Sequence, residues 1–201
     1  MTLARLNDAI REAAAALLAV ADPTAAVELA HLLASTQGAA FLPGRVPATS
    51  PALRQYLPGV LAEPFAAPLG PVAPALAAVW EQLQWVYHYA EREDAPGLGS
   101  RVAFAELVGP RGPLGGPDIK MGFTFLAPDV LYPAHAHPAA ELYVVLSGRA
   151  LWTQSGRAAW RDPGAVIVHA SEEPHAMQTA GEPLLALYGW RGALDEPSRY
   201  V

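Results

Sequence analysis

Six short runs rich in β-branched and aromatic residues crowd the second half of the chain, at residues 101–108, 120–127, 141–148, 149–156, 165–170 and 183–190. Glycine, proline and aspartate separate them. Strands this short, at this spacing, bury their apolar side chains by stacking sheet on sheet or by closing a barrel. The second half is therefore predicted to be an antiparallel β-sandwich or barrel. Ser147-Gly148 and Ser155-Gly156 are expected to be hairpin turns, and residues 109–118 an irregular loop.

The pattern before residue 95 is helical. Leu3, Leu6, Ile10, Ala14, Leu17 and Ala21 recur at helical spacing, which predicts an amphipathic helix over residues 3–20 rather than a signal peptide. Asp8 and Glu12 in that region also argue against a targeting segment. Asp22-Pro23 reads as an N-cap with proline at the first helical position, opening a helix through Ser35. Residues 42–74 are rich in proline and alanine, so helices there are expected to be short. Leu76, Val79, Trp80, Leu83, Val86, Tyr87 and Ala90 predict one strong helix over residues 74–94. The expected division is a helical cap over residues 1–95, packed on a β-barrel over residues 96–201.

The chain of 201 residues suits one such unit, and 52% apolar content supports a real core. A net charge of −6 argues against nucleic acid or an anionic membrane surface as partner. No segment is long and apolar enough to span a bilayer, so the reading is a soluble cytoplasmic protein. The absence of cysteine excludes zinc fingers, iron–sulfur clusters, disulfide frameworks and thiol nucleophiles. Any metal must be held by histidine and carboxylate.

Such residues concentrate in residues 132–148, YPAHAHPAAELYVVLSG. On a strand, positions i and i+2 face one side, so His135 and His137 point together, as do Glu141 and Tyr143. With residues 138–140 as a turn between paired strands, four polar groups would converge in an apolar barrel, at a cost that a divalent cation relieves. His175 is the best-placed ligand from a distant segment, ahead of His169. Histidine nitrogens with a carboxylate suit Zn, Fe(II), Mn, Co or Ni and match Ca or Mg poorly. His31 and His88 fall in predicted helices and are given no role.

These residues carry a resemblance. H-x-H-x3-E-x6-G from His135 to Gly148 matches the first motif of the cupin family without a gap. Gly164 to His175 keeps the spacing of the second motif, with Ala170, Glu172 and Thr179 where proline, glycine and asparagine are usual. The implied fold is mainly β, a cupin jelly-roll barrel with an N-terminal α-helical extension. H-x-H-P-A-x-E-x-Y-x-x-L-S-G, Tyr132 three residues before the first histidine, and the residues around His175 are similar to the cupin DMSP lyases. The nearest type is the Q-type (DddQ-like) of marine bacteria. That resemblance implies cleavage of dimethylsulfoniopropionate to dimethyl sulfide and acrylate. It implies one divalent transition metal on His137, Glu141 and His175, with His135 matching the motif's other histidine. It implies Tyr143 at or on the metal as the base that takes the α-proton, and Tyr132 and Trp190 in the pocket.

The implied chemistry is a β-elimination in which a metal holds the substrate carboxylate. Tyr143 suits the base because a nearby cation lowers its phenol pKa, and Tyr132 is the rival base. A sulfonium sits well over aromatic faces, for which Trp190, Tyr188, Trp152 and Tyr132 are available. Lys120, the sole lysine, is expected to be a solvated surface residue. The alternatives are an Fe(II)-dependent cupin dioxygenase, a non-catalytic small-molecule-binding cupin, and a cupin sugar isomerase. A homodimer through sheet edges is compatible with each.

Overall fold

The computed structural model describes residues 2–44, 46–91, 93 and 95–201. Helices α1 (Leu3–Leu18), α2 (Pro23–Ser35), α3 (Pro51–Ala62) and α4 (Val72–Ala77) come first. Asp22 caps α2 as expected, its carboxylate accepting from the Thr24 and Ala25 N–H groups at 2.8 and 2.9 Å, with Pro23 in the first turn. None of the helices is long and apolar enough to cross a membrane.

Eleven strands follow among the described residues: β1 (Trp85–Val86), β2 (Val102–Val108), β3 (Lys120–Leu126), β4 (Leu131–Ala136), β5 (Ala140–Ser147), β6 (Ala150–Gln154), β7 (Arg157–Arg161), β8 (Val166–His169), β9 (His175–Thr179), β10 (Leu184–Arg191) and β11 (Arg199–Tyr200). They form a six-stranded sheet in the order β1-β2-β3-β10-β5-β8 and a five-stranded sheet in the order β11-β4-β9-β6-β7, antiparallel throughout.

The two sheets have different surroundings, and their sequences differ accordingly. β3, β5 and β10 are buried along nearly their whole length, because one face lines the barrel and the other lies under the helices. Ile10, Ala14 and Leu17 of α1 face Val144, Leu146 and Leu187 across a small gap there. Leu32 of α2 sits against the backbone of Gly189, 3.6 Å from where a Cβ would lie. Glu28 of α2 holds Arg191 at 2.7 and 3.0 Å. β7 in the other sheet is solvent-exposed over most of its length. Continuous apolar runs mark strands covered on both faces.

Three expectations are corrected. The helix over residues 74–94 is not formed. α4 ends at Ala77, one 3₁₀ turn spans Trp80–Gln82, and Trp85–Val86 joins the sheet as β1 beside β2; residues 92 and 94 lie outside the described residues. Leu76, Val79 and Leu83 are buried all the same, so the helical spacing marked buried positions without fixing the backbone. The aromatic alternation of Trp85, Tyr87 and Tyr89 has the period of a strand.

Ser147-Gly148 is not a hairpin, because β5 and β6 lie in different sheets. Nor do residues 138–140 turn a hairpin: β4 and β5 are likewise in different sheets, and the chain crosses between them there. Ser155-Gly156 does close the β6–β7 hairpin. Both residues have positive φ (46° and 78°), as a two-residue turn of the I′ kind requires.

At the Gly148 crossing φ is 72° and an added Cβ would lie 1.9 Å from the Pro183 carbonyl oxygen. Gly148→Ala is expected to destabilise the fold by about 1–2 kcal/mol from the left-handed backbone alone, with the clash adding to it. A urea denaturation series that leaves the midpoint unchanged would refute this.

Candidate metal centre

The barrel encloses a cavity of about 290 Å³, reached by side chains of both sheets. β5 contributes Glu141 and Tyr143, and β10 contributes Tyr188 and Trp190. β4 contributes Tyr132 and His135, and His137 follows at the crossing between sheets. The polar groups therefore converge from facing sheets and not from one hairpin. Leu142, Val144 and Leu146 face away, as strand alternation requires.

Glu141 is the centre of the arrangement. Oε2 lies 2.8 Å from His137 Nε2 and 3.2 Å from His175 Nε2. Oε1 accepts from the Trp190 indole N–H at 2.7 Å. His137, Glu141 and His175 are buried, and one ligand atom from each falls within 4.8 Å of the others. A tetrahedral ion with bonds of about 2.1 Å separates its ligands by roughly 3.4 Å, so these spacings suit a transition metal. His175 Nε2 is buried and lacks a hydrogen bond despite its approach to Glu141. That orphaned nitrogen is what a metal ligand looks like when only the protein atoms are considered.

The histidine tautomers agree. Nδ1 of His137 lies 2.9 Å from the Ala139 carbonyl oxygen, that of His175 2.9 Å from Glu173 O, and that of His135 2.9 Å from Pro133 O. A carbonyl only accepts, so each Nδ1 carries a proton, which leaves Nε2 as the nitrogen turned to the site and able to ligate once it is free of its own proton. His169 is the opposite case. Its Nε2 accepts from the Trp152 indole N–H at 3.0 Å and is thereby occupied. It stacks on His175 with ring centres 3.9 Å apart and supports that ring from behind.

His135 stands beside this group: its ring centre is 4.0 Å from that of His175 and 6.4 Å from that of His137. The two are cross-strand partners, His135 on β4 and His175 on β9. The second motif's turn survives the loss of its glycine. Glu172 adopts φ of 63° and its N–H donates to the His137 carbonyl at 2.8 Å.

Burial sets the proton affinities. It would raise the Glu141 carboxyl, but the His137 charge and hydrogen bond outweigh it and hold the group well below the usual carboxylate range. Burial pulls His137 down, yet Glu141 brings it above its ordinary value. Burial, helped by His175, holds His135 well below its usual value and His169 at about 4. The Tyr143 and Tyr132 phenols are pushed well above their usual range by burial first, with neighbouring negative charge adding to it.

Tyr132, Tyr188 and Trp190 line the cavity as expected, whereas Trp152 does not and serves His169. Lys120 is not a solvated surface residue. It is half-buried at the cavity, donates to Leu194 O at 2.8 Å and lies 4.5 Å from the Trp190 ring centre. His88 lies in no helix and lines the cavity. Tyr89 and Phe104 are cavity residues that the sequence reading passed over. Tyr89 is hydrogen-bonded to the Tyr132 hydroxyl and donates to Ser198 Oγ at 2.7 Å; burial pushes its phenol up to about 12. The strand-period aromatics of residues 85–89 were its sequence signature.

Comparison with known proteins follows the same lines. The profile of the dimethylsulfoniopropionate (DMSP) lyase family matches residues 24–186. The dimethylsulfoniopropionate lyase DddQ of Ruegeria pomeroyi is 30% identical over 154 residues, 76% of this chain and 74% of that protein. The crystal structure of DMSP lyase DddQ from the same organism superposes with a TM-score of 0.74 at 26% identity, over 94% and 96% of the two chains. A structure from work on the DMSP lyases RdDddP and RnDddQII gives 0.81 at 27% identity, over 99% and 97%. A cupin-2 domain from Rhodospirillum rubrum gives 0.50 at 15% identity, over 61% and 77%, a likeness of fold alone. The fold is a cupin β-barrel with helices.

Trp190→Phe keeps an aromatic ring against His137 but removes the donor to Glu141. It is expected to weaken Zn²⁺ binding about tenfold, the lower end for loss of a group that orients a ligand. Competition against a chromophoric chelator measures this, and unchanged affinity would dismiss the orienting role.

Proposed function

This chain belongs to the dimethylsulfoniopropionate lyase family, and on that premise we propose that it cleaves dimethylsulfoniopropionate to dimethyl sulfide and acrylate by β-elimination. The observation that carries the reading is the placement of Tyr143 two residues beyond Glu141 on β5. Both side chains face one cavity, which His135 and His137 also line.

A divalent transition metal held by His137, Glu141 and His175, with His135 beside it, would supply the positive charge that anchors the substrate carboxylate, acidifies the α-proton and favours phenolate at Tyr143. The remaining work falls to the chain. Tyr143 Oη takes the α-proton, the electron pair forms the carbon–carbon double bond, and the β-carbon–sulfur bond breaks with its electrons leaving on sulfur. Dimethyl sulfide departs neutral, so water is not consumed. Tyr143 is buried, with Glu141 and Thr124 as its polar neighbours. Tyr132 is the weaker candidate for the base, since its hydroxyl is already hydrogen-bonded to Tyr89 and its ring stacks on His135 at 4.1 Å.

The test is to supply dimethylsulfoniopropionate to the purified protein, with and without chelator, and to assay the headspace for dimethyl sulfide. Release is expected only with metal present, and no release with any added transition metal would sink the lyase reading. Tyr143→Phe is expected to lower turnover by at least about a hundredfold while bound metal stays near one equivalent of the parent's content. Full activity would place the base elsewhere, and parallel loss of metal would make Tyr143 chiefly a ligand.

A further inference from the structure

Trp190 offers the largest aromatic surface at the cavity, yet that surface is already engaged. The His137 ring stacks on it with centres 4.1 Å apart and planes 30° apart. The Lys120 ammonium lies 4.5 Å from its centre. Strand register explains the arrangement: Lys120 on β3, Trp190 on β10 and Glu141 on β5 are cross-strand partners in one row. Lys120 is tied down by its bond to Leu194 O. A ligand cation brought to this ring would meet a fixed cation of the protein.

The next inward-facing row holds Gly122, Tyr188 and Tyr143, and the row beyond pairs Thr124 with Phe104 of β2. Four residues of β3 separate Lys120 from Thr124, roughly 13 Å along the barrel. Phe104 there packs with Tyr132 (ring centres 5.6 Å) and Tyr89 (6.2 Å), and Tyr89 with Tyr132 (5.8 Å). All three line the cavity. Among the described residues no side-chain cation lies over any of them. Along the barrel the order is thus the Glu141 row, the Tyr143 row, then an aromatic wall. Its rings each stack on a further ring, Tyr132 on His135 (4.1 Å), Tyr89 on Tyr200 (4.5 Å) and Phe104 on His88 (6.0 Å), and differ from Trp190 in having no ammonium over them. The Tyr132 ring, 4.1 Å from that of His135, brings this wall back beside the metal centre, within the short reach of a β-sulfoniopropionate.

We propose that Phe104 and Tyr89, with Tyr132, form the onium-binding subsite of the cavity, and that Trp190 takes no part in binding the onium group. This rests on the substrate reading above. The ligand class is a small carboxylate with a sulfonium or quaternary ammonium at the β-carbon, drawn to the π faces of the wall.

The zinc-loaded full chain is titrated calorimetrically with 3-(trimethylammonio)propanoate and with its uncharged isostere 4,4-dimethylpentanoate. The ratio of the two affinities isolates the cation–π contribution. The unmodified protein is expected to prefer the onium ligand, and Phe104→Leu or Tyr89→Leu to reduce that preference about threefold to thirtyfold. Tyr89→Phe keeps a ring and keeps the ratio. Trp190→Leu weakens both ligands by the same factor. In the unmodified zinc protein, cross-relaxation from the N-methyl protons to the Phe104 ring protons is expected, a readout that no unfolded variant can spoil. Undiminished preference in both leucine variants, collapse of the ratio in Trp190→Leu, or cross-relaxation to the Trp190 indole instead would overturn the assignment. Equal affinities in an unmodified protein that still releases dimethyl sulfide overturn the subsite alone. Equal affinities without such release overturn the substrate reading with it.

Discussion

Everything at the centre of the barrel depends on one buried carboxylate. Glu141 is 2% exposed, a position in which an ionised carboxyl is tolerated only when both oxygens are matched. Trp190 takes one oxygen and His137 and His175 share the other. Each partner is oriented in turn: His137 and His175 by backbone carbonyls two residues away, Trp190 by its stacking on His137. Removing the carboxylate would take the acceptor from the Trp190 indole N–H and the partner from His137 Nε2, and would leave the His175 nitrogen without its nearest opposite charge.

The carboxylate also explains why the two motifs must meet. His137 comes from the crossing between sheets and His175 from β9 of the smaller sheet, while Glu141 belongs to the larger one. Closing the barrel is what brings them within reach. Glu172 shows how strongly that closure is specified. The backbone takes a left-handed turn without glycine, a strain of about 1 kcal/mol, because its N–H bonds to the His137 carbonyl and its carboxylate pairs with Arg199 at 2.7 Å.

Local periodicity made part of this legible. The two-residue alternation of Glu141 and Tyr143 placed both on the cavity side, and the resemblance to the second cupin motif pointed to His175. The α2 cap at Asp22 and the turn at Ser155-Gly156 were equally local, each specified by a pair of residues. What failed was long-range. Residues 74–94 bury the positions that a helix would bury, but the edge beside β2 captured Trp85 and Val86, a case of tertiary pairing overriding local preference. Gly148 looked like a hairpin turn because the steric need for glycine is the same at a crossing between sheets. Lys120 looked solvated because nothing local announces that its cross-strand partner is a tryptophan.

The helices do more than shield the larger sheet. Leu32 presses on Gly189 between the two cavity aromatics of β10, and Glu28 grips Arg191 one residue past Trp190. Leu142 and Val144, on either side of Tyr143, point away from the cavity into the apolar core. Every cavity-lining residue on β5 and β10 thus alternates with one anchored outside it. The helical layer works like a jig clamped to the back of the sheet, setting the pitch at which the front-side groups are presented. The width of the cavity is then set in part from outside it: Leu32, behind Gly189, is a place where a change of side-chain volume reaches the site without touching its walls.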